Sequence, residues 1–251
     1  MAVGSGLIER IGEAFGVARW DEPAADSFRQ DFRARFGRSA PADLARYAAL
    51  PGLAQVLAGA YTAQVIFPEQ LRPAPADLAP GLDGEQLWLM TENQGVCVWT
   101  VPLDMGDRPP VIVAGDLPAE NGGPRVYADT LDDFTAAWAW DLACLGRPTV
   151  LQAQAAELDA ATEAYLGQHL RAGTPTWGWP ARRTLRWHTD DGLEVLLWDG
   201  AGQCDWFISA PSVDVLRRWT ERLLPLSDLQ ASLWSNEDTG QRLLADLRTG
   251  R

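Results

Sequence analysis

The chain has no lysine; all 21 of its basic residues are arginine. We read this as the mark of a GC-rich genome rather than of a functional demand. It does remove the lysine that a phosphate-binding loop needs, so Gly4-Ser5-Gly6 is not such a loop. Cysteine is scarce: Cys97, Cys144 and Cys204 are odd in number and far apart, with no CxxC pair and no His/Cys spacing for a metal. Each lies in an apolar run, so they read as small buried hydrophobes in a reduced, cytoplasmic compartment. Only two histidines occur, His169 and His188. No apolar run approaches the ~20 residues that span a bilayer. The start, MAVGSGLIERIGEAFG, lacks the basic opening and long apolar stretch of a signal peptide. These absences predict a soluble cytoplasmic protein that does not engage a membrane.

What is present is apolar and acidic. Hydrophobic residues make up 47% of the 251 positions and include 12 tryptophans, enough for one large domain or two small ones with real cores. The formal net charge of −13 is unevenly placed. Residues 1–68 balance at seven acids and seven arginines, and residues 142–251 hold fourteen against eleven. Residues 69–141 hold thirteen acids and three arginines, a net of −10. Such a segment repels nucleic acid and anionic membrane and attracts basic proteins.

The first third reads as helices. Asp21 and Pro23 start one on which Phe28, Phe32 and Phe36 share a face, and Gly37 stops it. Ser39 and Pro41 start a second, carrying Leu44 and Tyr47, and residues 53–60 a third. Residues 68–84 are a Pro/Asp/Gly-rich loop. Strands follow at Leu87–Glu92 and Val96–Val101, a hairpin turned at Gly95, then at Pro110–Ala114 and Arg125–Ala128. Leu87 and Leu89 alternate with Trp88 and Met90, so the hairpin is apolar on both faces and belongs at a sheet's centre. Thr130 caps a helix, with Asp133 at its third position, and Leu131, Phe134, Trp138 and Leu142 face the sheet. Gly146-Arg147-Pro148 is the candidate boundary, giving domains 1–148 and 149–251. Beyond it we expect a long helix over Gln152–Arg171, a loop over Thr174–Pro180, and strands at Thr184–Thr189, Leu193–Asp199 and Cys204–Ser209. A helix capped by Ser212 and a helical tail from Ser227 complete the chain. The fold class is α+β: N-terminal helices, an antiparallel meander covered by helices, and a C-terminal α+β extension that continues the same sheet.

The catalytic inventory is thin. His188 and Asp190 share a face on a strand, and a general base needs an orienting acid, but no serine sits in a nucleophile elbow and Cys204 is a weak candidate. We expect no catalytic residue, no cofactor and no metal. Three tryptophans and Arg182, Arg183 and Arg186 lie within Trp177–Trp187. Such a mixture can stack on single-stranded nucleic acid, but in so acidic a chain we read it as arginine stems lying over tryptophan faces at a sheet margin.

The Gly37…Pro41…Leu44…Tyr47 run, and above all Glu92-Asn93-Gln94-Gly95-Val96 followed by Trp99, resemble the SUKH superfamily. That superfamily includes a fungal cell-wall synthesis regulator and many bacterial immunity proteins. The resemblance covers about residues 10–146 and includes a closing helix like Thr130–Leu145. It implies a bacterial, non-enzymatic protein that neutralises a toxin, often a nuclease, by direct contact. A nuclease tends to be basic, and an acidic segment would steer toward it. The candidate contact residues are Glu92 and Asn93 at the hairpin, with Asp104, Asp107, Asp116, Glu120 and Asp129 in or beside loops. Glu92 and Asn93 equally suit a purely local role in turn geometry. The alternative is an intracellular scaffold or regulatory module of the same fold without a toxin partner. A monomer is expected.

Overall fold

The computed structural model describes residues 22–48, 63–65, 73, 82, 84–92, 94–117, 123–147 and 149–249. Asp21, the expected helix over 53–60 and most of the 68–84 loop lie outside them. The chain is α+β and divides into two compact units, Met1–Ala139 and Trp140–Arg251.

In the first unit, α1 (Glu22–Phe36) aligns its phenylalanines as read: Phe32 stacks on Phe28 and Phe36 at ring distances of 5.7 and 4.5 Å. Helix α2 (Ala42–Ala48) follows. Five strands then pair antiparallel in chain order: β1 (Ala63–Val65), β2 (Gln86–Glu92), β3 (Cys97–Pro102), β4 (Val111–Gly115) and β5 (Arg125–Ala128). The hairpin strands are central, and β3 is buried along its whole length, as apolarity on both faces predicts. One correction concerns β2. The register slips between Trp88, opposite Thr100, and Met90, opposite Trp99, so this bulge puts the two on different faces in place of simple alternation.

Helix α3 (Leu131–Leu145) packs Leu131, Phe134 and Trp138 inward, while the side chain of Leu142 lies outside the described set. Trp99 is wholly buried and meets Tyr127 and Trp138 edge-on at 5.7 and 5.6 Å. Thr130 caps α3 as expected, accepting from the Asp133 amide at 3.1 Å. The Asp133 carboxylate takes the Thr130 hydroxyl at 2.6 Å.

The second unit corrects two expectations. Its strands form a separate six-stranded sheet instead of continuing the first, in the order β6 (Val150–Ala155), β11 (Cys204–Ser209), β10 (Glu194–Asp199), β9 (Arg183–His188) and β7 (Arg171–Ala172), with β8 (Thr176–Trp177) also on β9. The added strand β6 comes from the segment read as the start of a long helix. Leu151, Ala153 and Ala155 are buried while Gln152 is half-buried and Gln154 exposed, a period of two, and the strand pairs along all of β11. The helix is only α4 (Ala160–His169), capped by Asp159, whose carboxylate accepts from the Thr162 amide at 2.6 Å.

One sheet face carries the unit's main core, with Trp187, Val195, Leu197, Trp206 and Ile208 against α4, α5 (Val213–Leu223), α6 (Leu229–Ser232) and α7 (Asp238–Thr249). On the other, Val150, Leu196 and Phe207 pack with Trp140, Cys144 and Leu145 from the end of α3. That packing is why the units divide between Ala139 and Trp140, nine residues before the expected boundary at 148/149. Among the described residues no helix is long and apolar enough to cross a membrane.

Candidate functional site

Strict antiparallel order decides where the candidate acids lie. Every turn of the first sheet returns to one of two ends, and a six-residue strand separates those ends by ~20 Å. The β3–β4 loop and the exit from β5 share one end; the β2–β3 turn and the start of the β4–β5 loop share the other. Asp104, Asp107 and Asp129 therefore occupy one end, all exposed. Glu92 and Asp116 occupy the opposite one. Asn93 and Glu120 lie outside the described residues. Among the described residues the candidate acids thus fall at two opposite ends of the sheet.

Glu92 is buried, at 6% exposure, and its carboxylate accepts the Gln94 amide at 2.7 Å. Its carbonyl accepts the Gly95 amide at 2.9 Å, and Gly95 takes the positive φ of 76° that the turn requires. Glu92 thus serves the hairpin and presents little to a partner. Asp116 is exposed, but its amide extends the ladder to the Val96 carbonyl at 2.7 Å.

The end bearing Asp104, Asp107 and Asp129 is richer in carboxylates than local sequence indicates. Asp43, fully buried at the start of α2, and Asp132, buried at the start of α3, lie 3.7 and 3.9 Å from the Arg108 guanidinium. Both suit the positive end of a helix. Arg38 pairs with Glu85 at 3.0 Å and donates to the Leu103 carbonyl at 3.1 Å. Asp43 and Arg108 are 65 positions apart, so no motif reveals them. Met105, 59% exposed, stands between Asp104 and Asp107 at the loop tip.

The second unit settles the role of its arginines. Arg186 is 2% exposed and grips Asp141 with two bonds of 2.7 and 2.6 Å, while donating to the Thr174 carbonyl at 2.8 Å. Burial pushes the Asp141 carboxyl above its usual range, and the guanidinium opposes that shift. Arg182 and Arg183 both bind the buried Asp199, at 3.0 and 2.6 Å, and reach Glu157 and Glu163 at 3.1 and 2.8 Å. Their described partners are carboxylates, and guanidiniums so engaged are committed to the fold.

Register separates the catalytic candidates. His188 sits opposite Glu194, whereas Cys204 sits opposite Asp199, which pairs with Arg183 at the far end of β9. Asp190 is exposed and pairs with Arg171 at 2.7 Å. Burial pushes the Cys97 and Cys204 thiols up strongly, and that of Cys144 up to about 12, leaving no ready thiolate. Among the described residues no three His, Cys, Asp or Glu side chains converge to hold a metal ion. No family model, curated protein or solved structure matches the chain.

Proposed function

We propose that the protein is a non-enzymatic cytoplasmic protein-binding domain of the immunity type. In this reading it takes a basic toxin at the end of the first sheet that carries Asp104, Asp107 and Asp129. The observation that carries the proposal is the concentration of exposed carboxylate there. Asp104, Asp107 and Asp129 are open to solvent, and the neighbouring guanidiniums of Arg38 and Arg108 already face Glu85, Asp43 and Asp132. Exposed acids that have no basic partner among the described residues steer a basic protein and raise its association rate. The resemblance to the SUKH superfamily supports the same reading. The register also sets His188 opposite Glu194 and Cys204 opposite Asp199, at opposite ends of their strands, so these two do not form a pair.

Affinity capture from the native host tests the proposal. The wild-type protein is expected to retain a basic protein. The Asp104→Arg/Asp107→Arg/Asp129→Arg variant should lose it, while Asp116→Arg, altered at the opposite end, should keep it. Equal capture by all three proteins contradicts the assignment of this end. Capture of acidic or neutral proteins only contradicts the toxin reading and leaves the scaffold role.

A further inference from the structure

The second sheet carries a row of polar side chains on the face covered by the end of α3. Register places Arg171, His188, Glu194, Ser209 and Val150 opposite one another on successive strands, so their side chains leave the same face. Glu194 is the hub of that row. Arg147, in the connector between α3 and β6, binds its two carboxylate oxygens at 3.1 and 3.2 Å. The same guanidinium donates to the Gly192 carbonyl at 3.2 Å, so it ties the connector to the β9–β10 turn. Ser209 donates to Glu194 at 3.4 Å and lies 3.4 Å from the Cys144 sulfur on α3. On the other side, directly opposite Glu194, the Nδ1 atom of His188 is buried with no hydrogen-bond partner among the described residues.

We propose that Glu194 is a proton-operated latch: its carboxylate holds Arg147 while His188 is neutral, and an imidazolium at His188 draws the carboxylate away and frees the connector between α3 and β6. Imidazole changes charge in the physiological range, and directly opposed cross-strand side chains have Cβ atoms only about 4.5–5.5 Å apart. The other charges around the row are already matched. Arg171, opposite His188 on β7, pairs with Asp190 at 2.7 Å. Arg186, two residues along β9, pairs with Asp141 at 2.6 Å. Cys144 is a buried thiol with its pKa pushed up, so it contributes no charge. Burial raises the carboxyl of Glu194 above its usual range, and the Arg147 guanidinium opposes that shift. The consequence is local. Releasing Arg147 removes a side-chain anchor of the segment that leads from Cys144 into Val150, whose neighbour Thr149 accepts the Ala210 amide at 3.3 Å.

Amide hydrogen exchange on the whole chain tests this. Protection at residues 143–147, 149 and 150 and at Ala210, corrected for intrinsic exchange, should fall roughly tenfold between about pH 7.5 and about pH 5.5. His188→Gln should hold the high-pH protection at both values. A fall of the same size in His188→Gln overturns the proposal, because the latch then opens without the imidazole. The wild-type protein supplies an independent check: the ring nitrogen shifts of His188 must move over the same pH interval as the exchange rates. Protonation of His188 with unchanged exchange also overturns it.

Discussion

Gly115 ends β4 at a φ of 135°, and a Cβ built there would stand 2.4 Å from the Val96 carbonyl oxygen and 2.7 Å from the Cys97 Cα. Both obstacles are backbone, so neither can swing away. Gly115→Ala should therefore destabilise the protein by on the order of 2 kcal/mol, read as a lowered urea midpoint, with a disturbed β2–β3 turn. Gly95 is a milder case: its φ is 76°, but no described atom beyond its chain neighbours lies within 4 Å of its would-be Cβ. The difference shows what a sequence reveals at this scale. Gly95 follows Glu92-Asn93-Gln94 between two apolar runs, and a tight turn there calls for positive φ whatever surrounds it. Gly115 closes an ordinary apolar strand, and its requirement comes from a carbonyl on the neighbouring strand, 19 positions earlier in the chain. The same limit hid the fate of Glu92. Its type and place suited either a contact or a turn, and only its burial and the 2.7 Å bond from Gln94 favour the turn.

Among the elements, the capped helix α3 and the three strands of the second meander follow their patterns closely, because each pattern is local, and the β2–β3 hairpin does so apart from its bulge between Trp88 and Met90. Strand β6 does not. VLQAQA is short, rich in alanine and glutamine, and runs on toward AATEAYLGQH, so helix propensity favours a helix throughout. Pairing along β11 overrides that preference, and Asp159 restarts the helix. The join between α3 and β9 was equally illegible. Arg186 and Asp141 are 45 positions apart, and their pairing depends on tertiary placement alone. A buried guanidinium that loses its partner, or a carboxylate that loses its guanidinium, keeps the full cost of leaving water. Arg186→Met should thus cost about 3–5 kcal/mol. The double variant Arg186→Met/Asp141→Leu should recover most of that loss, since no uncompensated charge remains. Chemical denaturation of the two variants and the wild type measures the difference; equal losses in the single and double variants would show that packing, not charge burial, sets the cost.

Over the whole molecule, the segment totals located the acidity in residues 69–141 but not how its described candidate acids divide between two sheet ends. That division follows from strand order, which composition does not contain. It also narrows the proposed binding surface: Glu92 is absorbed by the hairpin, Asp116 stands apart, and Asp104, Asp107 and Asp129 share the end where Asp43 and Asp132 lie buried beneath Arg108. The resulting field is long-ranged at low ionic strength and weakens as salt shortens the Debye length. The most direct measurement is the association rate between this protein and the basic partner captured with it, followed by stopped flow at several salt concentrations. The account predicts that Asp104→Arg/Asp107→Arg/Asp129→Arg slows association at low salt by roughly tenfold or more and flattens its salt dependence, while the folded state is retained and Asp116→Arg changes the rate little. An unchanged association rate in the folded triple variant would contradict it.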